Sequence, residues 1–148
     1  VKVLASRIIV PDASVILKWV FTGAEEKDRE QADAIRSGWL DGRLEIVLPR
    51  HWAFEVGNVI ALKDPGRAGE LMDVLIGYRC AEEETTPDLC RTAFGLTRDF
   101  GVTFYDAAYH AVALRRNGTF VTADESYCRK VSRKGGVALL RDCGPDLA

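Results

Sequence analysis

RIIVPDAS, residues 7–14, is a short β-branched run that reaches a proline and stops at Asp12. Such a run predicts a buried strand over residues 7–11, followed by a sharp turn into a helix. The pattern recurs in TFVTAD, residues 119–124, where Asp124 comes directly after the strand-like residues. Parallel strands present their carboxyl ends at one edge of a sheet, and ligands of α/β proteins bind at that edge. Both acids are therefore candidate functional residues.

Short strands alternate with helices along the rest of the chain. We predict further strands at 45–49, 79–85 and 137–140. We predict helices at 15–21, 25–40, 51–63, 68–78, 87–100, 106–116 and 125–133, with 101–105 extended. Thr86 is the expected N-cap of the helix that begins at Pro87. This alternation favours an α/β fold in which helices cover both faces of a parallel sheet. No linker or repeat interrupts the pattern, so residues 1–148 are expected to form one domain.

The composition is that of a globular protein with an ordinary core. The chain has 148 residues, of which 47% are hydrophobic and 28% charged, a normal balance for one domain. Its 20 Lys and Arg residues against 22 Asp and Glu residues give a net charge of −2. That charge excludes a protein held on nucleic acid by overall charge alone. Without an apolar run of about 18 residues or a signal peptide, we expect a cytoplasmic protein that does not bind membranes.

Two further acids join Asp12 and Asp124 as candidates. Asp106 opens a predicted helix of small residues, and Glu55 borders the apolar face of helix 51–63. Each acid alone has a simpler interpretation, since Asp is a common helix N-cap and Glu is usually solvated. If all four converge, repulsion raises their pKa values unless a cation neutralises them. Carboxylate oxygens without His or Cys favour Mg²⁺ or Mn²⁺ over zinc.

Four segments carry a family resemblance, and they are IVPDASV (9–15) with Lys18 and Trp19, EVGN (55–58), YDAAYHAVA (105–113) and VTAD (121–124). The ordered set resembles the PIN-domain ribonucleases, most closely the VapC-type toxins of prokaryotic toxin–antitoxin pairs. The resemblance implies a three-layer α/β/α PIN fold with a roughly five-stranded parallel sheet. It implies one or two Mg²⁺ or Mn²⁺ ions held by Asp12, Glu55, Asp106 and Asp124. It also implies supporting polar side chains at Ser14, Asn58 and Thr122.

The activity implied by the resemblance is endoribonucleolytic hydrolysis that leaves a 5′-phosphate and a 3′-hydroxyl. An acidic pocket repels a phosphodiester unless a metal ion reverses the local field, and the ion also lowers the pKa of bound water. No side-chain nucleophile is then needed. Basic residues near the acids are candidates for holding RNA, with an ordinary solvated face as the other interpretation. These residues are Lys18, Arg115, Arg116, Arg129, Lys130, Arg133 and Lys134.

Apolar surface and the resemblance together suggest partners. Segment 15–21 and the residues around Trp52 and Val56 carry more hydrophobic surface than a small domain easily covers. This surplus predicts burial against a second copy in a two-fold homodimer, which the resemblance also implies. The resemblance further implies a VapB-type antitoxin that occupies a groove, with an Arg directed at the acids.

Other functions remain open from the sequence. A haloacid-dehalogenase-type phosphatase needs a second Asp two residues after Asp12, where this chain has Ser14. A receiver domain needs an acidic pair beside the end of its first strand, and the chain lacks one. A PIN-type nuclease of RNA maturation without an antitoxin fits the same residues, as does a non-catalytic PIN module that binds RNA or a protein. The four acids count against the non-catalytic module, because packing does not favour uncompensated carboxylates kept together.

Overall fold

The computed structural model describes residues 8–144, in which five parallel strands form one sheet in the order β3-β2-β1-β4-β5. The strands are β1 (Ile8–Pro11), β2 (Glu45–Pro49), β3 (Ala81–Glu83), β4 (Thr119–Thr122) and β5 (Val137–Leu139). The first helices are α1 (Ala13–Ile16), α2 (Arg29–Leu40), α3 (Trp52–Lys63) and α4 (Ala68–Gly77). The later helices are α5 (Pro87–Phe100), α6 (Phe104–Arg115) and α7 (Glu125–Lys130). Short 3₁₀ turns cover Leu17–Trp19 and Leu140–Asp142.

The two central strands are covered on both faces. Ile9 and Val10 in β1 are both fully buried, as are Phe120 and Val121 in β4. Adjacent strand residues point to opposite faces, so this burial requires helices on each side of the sheet. Helix α6 packs against β1, β2 and β4, while α1 packs against β1 and β4. The expected α/β class and parallel five-stranded sheet are therefore confirmed.

The strand order places a crevice beside β1 and β4. The chain runs from β1 outward through β2 to β3, then returns to β4 on the other side of β1 and continues to β5. Because the connections leave these neighbouring strands in opposite directions, a gap opens at their carboxyl ends. Asp12 follows β1 directly, and Asp124 lies two residues beyond β4. The topology therefore brings the two strand-end acids to the same edge.

The first two helices differ from their predicted bounds. The helix expected at 15–21 begins at Ala13, because the Asp12 side chain caps it, and becomes a 3₁₀ turn at Leu17. The helix expected at 25–40 begins only at Arg29, after Asp28 in the left-handed conformation with φ of 56°. Arg7, placed in the first predicted strand, lies outside the described residues.

Bounds in the second half also shift. Helix α6 begins at Phe104 instead of Asp106, because Thr103 is the N-cap and its side chain accepts from the Asp106 N–H at 3.2 Å. The segment expected to be extended at 101–105 is therefore partly helical. Strand β3 covers only part of the predicted 79–85, and α7 ends at Lys130 instead of Arg133. Within residues 8–144, every helix is too short or too polar to cross a bilayer.

The apolar surface expected to pair with a second copy is inside the chain. Val15, Ile16 and Trp19 pack in the core, as do Trp52 and Val56. Their exposed fractions are 6% or less, because α1 packs on α3 and on the sheet. The prediction that these residues supply a dimer surface is wrong. Large hydrophobic side chains that do reach solvent include Phe54, Leu62 and Tyr105.

Candidate active site

Asp12 is fixed by a hydrogen-bond network that joins the ends of β1 and β4. Its Oδ1 accepts from the backbone N–H of Ser14 at 3.0 Å and from Ser14 Oγ at 2.5 Å, and its Oδ2 accepts from Thr122 Oγ1 at 2.6 Å. Ser14 Oγ in turn accepts from the N–H of Ala123, and Thr122 Oγ1 accepts from the N–H of Asp124. Ser14 and Thr122 therefore hold the Asp12 carboxyl in one orientation.

Burial raises the pKa of Asp12 to about 6, against the lowering effect of the Ser14 and Thr122 hydrogen bonds. The charge of Asp106 adds to the increase. Burial likewise raises the pKa of Glu55 to about 7, and the charges of Asp12 and Asp106 raise it further. Glu55, on α3, therefore lies within range of the charges of Asp12 and Asp106.

Asp106 and Asp124 share a polar crevice between the start of α6 and α7. This crevice has a volume of about 80 Å³, and Lys130 also lines it. Burial raises the pKa of Asp106, the hydrogen bond from Thr103 lowers it, and the charge of Asp124 raises it. Lys130 has a smaller lowering effect, as its ammonium favours the ionised acid. Asp12, Glu55 and Asp106 thus each feel the charge of at least one other candidate acid.

Two aromatic residues beside Glu55, Tyr109 and His51, were not predicted as site residues. The Tyr109 hydroxyl, on a fully buried side chain, donates to Glu55 Oε1 at 3.3 Å. His51 Nε2 lies 3.8 Å from Glu55 Oε2 and has no hydrogen-bond partner among the described residues. Burial lowers the pKa of His51. The four-residue spacing of His51 and Glu55 could have indicated their contact, because residues four apart are neighbours on a helix. No sequence pattern linked Tyr109 to Glu55.

The remaining predicted site residues are Asn58 and the basic residues expected to hold RNA. Asn58 is exposed and forms no hydrogen bond with the acids within residues 8–144.

Most of the basic residues predicted to hold RNA have other contacts. Lys18 forms an ion pair with Glu26 at 3.2 Å, and Arg129 forms one with Glu125 at 3.6 Å. Arg116 pairs with Glu83, while Arg133 stacks on Phe100. Arg115 and Lys134 are exposed. Arg115 and Arg116 lie at the end of α6 opposite Asp106. Of the basic residues predicted to hold RNA, Lys130 is the one that lines the acidic crevice.

The chemistry of the four acids fits a hard divalent cation, since their donors are carboxylate oxygens. Burial, with neighbouring negative charge, raises the pKa values of Asp12, Glu55 and Asp106. Among the described residues, however, no three acidic, His or Cys side chains converge closely enough to hold an ion as they stand. The sharing of one ion by all four acids therefore stays a prediction.

The family model of the PIN domain matches residues 9–133, a range that contains all four acids. The chain belongs to the PIN domain family. PIN domains are typically nucleases that use divalent metal ions. No curated protein matches this PIN domain.

Two solved structures share the fold of this PIN domain. PAE2754 from Pyrobaculum aerophilum has 19% sequence identity, a TM-score of 0.65 and an alignment that covers 93% of each chain. FitAcB from Neisseria gonorrhoeae has 18% identity and a TM-score of 0.56, with 93% of this chain and 97% of that chain covered. At such identities the likeness shows the fold alone.

Proposed function

We propose that this chain is a single PIN domain that acts as a Mg²⁺- or Mn²⁺-dependent endoribonuclease of the VapC type, the toxin of a toxin–antitoxin pair. It hydrolyses RNA phosphodiester bonds and leaves a 5′-phosphate and a 3′-hydroxyl. The observation that carries this proposal is the buried carboxyl of Asp12, which Ser14 and Thr122 orient at the carboxyl ends of β1 and β4. The charges of Asp12 and Asp106 add to the effect of burial in raising the pKa of Glu55. Such uncompensated charge favours binding of protons or of a cation.

The ligands of the proposed ion are Asp12, Glu55, Asp106 and Asp124. When bound, a divalent ion supplies charge neutralisation and a water molecule of lowered pKa. Ser14 and Thr122 keep both oxygens of the Asp12 carboxyl oriented, and Tyr109 restrains Glu55.

Lys130 gives the RNA a point of contact beside the acids. Its side chain is exposed, and it lines the crevice that also contains Asp106 and Asp124. An ammonium at this position attracts a phosphate that the neighbouring carboxylates would otherwise repel. Lys18, Arg116 and Arg129 have acidic partners, and Arg115 lies at the far end of α6. Arg133 and Lys134 do not line the crevice, so Lys130 is the predicted RNA contact favoured by position.

Substitution of Asp12 tests the chemistry. We expect Asp12→Asn to abolish cleavage of single-stranded RNA in Mg²⁺, because the buried carboxylate is lost, and Asp124→Asn to do the same. Asp73→Asn, an exposed change on α4, serves as the matched control and should cut at the parental rate. Sequencing of RNA 5′ ends reports the products. Parental cleavage by both Asp12→Asn and Asp124→Asn would refute the assigned chemistry.

Thermal unfolding provides a readout independent of turnover. Because an ion bound only by the folded state stabilises it by about 1.4 kcal/mol at ten times its Kd, Mn²⁺ should raise the melting temperature of the parent and of Asp73→Asn. The same titration should leave Asp12→Asn unshifted. An equal shift in Asp12→Asn would remove that carboxylate from the metal site.

The toxin assignment rests on the resemblance of the motifs, and co-expression separates it from a stand-alone nuclease of RNA maturation. We expect the product of the adjacent upstream reading frame to bind this chain and protect cells from it. A neighbour that neither binds nor protects would remove the antitoxin while leaving the ribonuclease proposal in place.

A further inference from the structure

A cavity lies beside the acids, between the turn from β2 to α3, helix α5 and the start of α6. Its volume is about 140 Å³. Apolar side chains form much of its wall, including Leu89, Ala93 and Ala108. Arg50, His51 and Tyr105 also line it and bring polar and aromatic groups to it. This space is called the α5–α6 cavity below.

Two lining residues of the α5–α6 cavity are neighbours of the candidate acids. His51 lies one helical turn before Glu55, and its Nε2 is 3.8 Å from Glu55 Oε2. Tyr105 directly precedes Asp106 in α6. A group seated in this cavity is therefore a close neighbour of a phosphate placed at the acids.

The size of the cavity selects its occupant. An apolar cavity of about 150 Å³ accommodates benzene, whereas sites that enclose a whole small molecule measure about 300–1,000 Å³. The α5–α6 cavity, at about 140 Å³, therefore suits one six-membered ring. Among nucleobases this favours a pyrimidine over a two-ring purine.

The rim carries the groups that hold single-stranded nucleic acid. The Tyr105 side chain is 65% exposed, and its ring lies 5.5 Å from the His51 ring. Arg50 is exposed, and its guanidinium has no hydrogen bond or ion pair within residues 8–144. Aromatic faces stack on unpaired bases, and an unpaired cation attracts the adjoining phosphate. An apolar cavity with this rim matches a nucleotide better than a wholly apolar ligand.

We propose that the α5–α6 cavity binds the unpaired pyrimidine base of a nucleotide next to the cleaved phosphate, with Tyr105 against the base and Arg50 at the backbone. The inference rests on the proposed ribonuclease function and adds a substrate preference to it. Arg50 follows β2 directly, so it reaches the same edge of the sheet as Asp12.

Two substitutions test the cavity. Tyr105→Ala removes an exposed ring from the rim, and Cys90→Phe fills the space from the α5 wall. Leu40→Ala removes a large apolar side chain that is 63% exposed on α2 and does not line the cavity, so it is the matched control. Binding of fluorescent single-stranded oligouridine and oligoadenosine is measured by anisotropy in EDTA, where no cleavage occurs.

We expect the parent and Leu40→Ala to bind oligouridine more tightly than oligoadenosine. Tyr105→Ala should weaken oligouridine binding about tenfold, within the range for loss of one base–aromatic stack. Cys90→Phe should abolish the preference between the two oligomers. If Cys90→Phe fails to fold, Tyr105→Ala still decides the outcome, because its side chain is largely exposed.

The thiol of Cys90 gives a direct measure of occupancy in the parent protein. Cys90 is half-buried and lines the cavity, whereas Cys80 is half-buried outside it. Oligouridine should slow alkylation of Cys90 by a maleimide and leave Cys80 unaffected, as followed by peptide mass spectrometry. Equal rates at Cys90 with and without oligouridine would contradict the assignment.

The possible outcomes distinguish the base-site proposal from the ribonuclease proposal. If the parent cuts RNA while Tyr105→Ala and Cys90→Phe bind both oligomers as the parent does, the base site is wrong and the ribonuclease stands. If the parent neither binds nor cuts RNA in Mn²⁺, both proposals fall. If the variants change the molar mass in light scattering but not RNA affinity, the cavity belongs to a contact between copies and the base site is overturned.

Discussion

Glu55 makes the stability of the metal-free protein depend on pH. Its pKa is about 7 in the folded chain against an ordinary value of 4.5. The folded state therefore holds this proton more tightly than the unfolded state. Stability from this group is complete below pH 4.5 and is lost as the pH rises through 7.

We accordingly expect the free energy of unfolding in EDTA to fall between pH 5 and pH 8. Glu55→Gln should flatten this fall by about 1 kcal/mol, a value discounted for the partial solvent exposure of the side chain. Urea unfolding at both pH values measures it, with Glu84→Gln in an exposed loop as the control. Identical pH slopes for Glu55→Gln and the parent would contradict the raised pKa of Glu55.

Single residues were predictable where the signal was local. Asp12 and Asp124 both follow strands, and each also caps a helix, with Asp124 accepting from the Tyr127 N–H at 3.0 Å. The capping and the functional interpretations therefore coexist for these two acids. Asp106 was the acid most readily explained as a cap, yet Thr103 caps α6. Tyr109 could not be assigned, because its contact with Glu55 spans 54 positions of sequence.

At the scale of elements, the start of a helix was predictable where the sequence contains a recognisable N-cap residue. Helix α5 begins at Pro87 as predicted, and the side chain of its N-cap Thr86 accepts from the Leu89 N–H. The start of α2 at Arg29 depends instead on the left-handed backbone conformation of Asp28, which no sequence pattern predicts. Ends of short helices are set by a few hydrogen bonds, so they are the least predictable feature.

Helix α7 supplies a matched pair of cations for a test of RNA binding. Lys130 lines the crevice that contains Asp106 and Asp124, whereas its neighbour Arg129 pairs with Glu125. We expect Lys130→Ala to weaken binding of single-stranded RNA and to reduce the slope of log K against log salt by about 0.7, the value for one phosphate contact. Arg129→Ala should change the slope less. Equal slopes for Lys130→Ala and the parent would place Lys130 outside the RNA contact.

At the scale of the molecule, the alternation of strands and helices predicted the sheet, and its strand order places Asp12 and Asp124 at the same edge. The packing of the apolar segments was less predictable. Segment 15–21 and Trp52 are as hydrophobic as a contact surface, but α1 and α3 bury them against each other and the sheet. Sequence hydrophobicity does not distinguish a core face from a face between copies, because both exclude water.

Helix α3 offers a different surface for the proposed homodimer. Phe54 and Leu62 are 85% and 78% exposed, and their spacing of eight places them on one side of the helix. Monomeric proteins seldom leave large apolar patches in water, so we expect a second copy to cover this stripe. Light scattering should then give a mass of about twice the 16.4 kDa chain.

The double change Phe54→Ser with Leu62→Ser should shift this dimer toward monomer at micromolar concentration, because it removes apolar area from both halves of a two-fold contact at once. Leu40→Ser is the matched control, since Leu40 is 63% exposed on α2, and it should keep the parental mass. A parent that is monomeric at every concentration would exclude the homodimer. A dimer that survives the double change would place its contact on another face of the molecule.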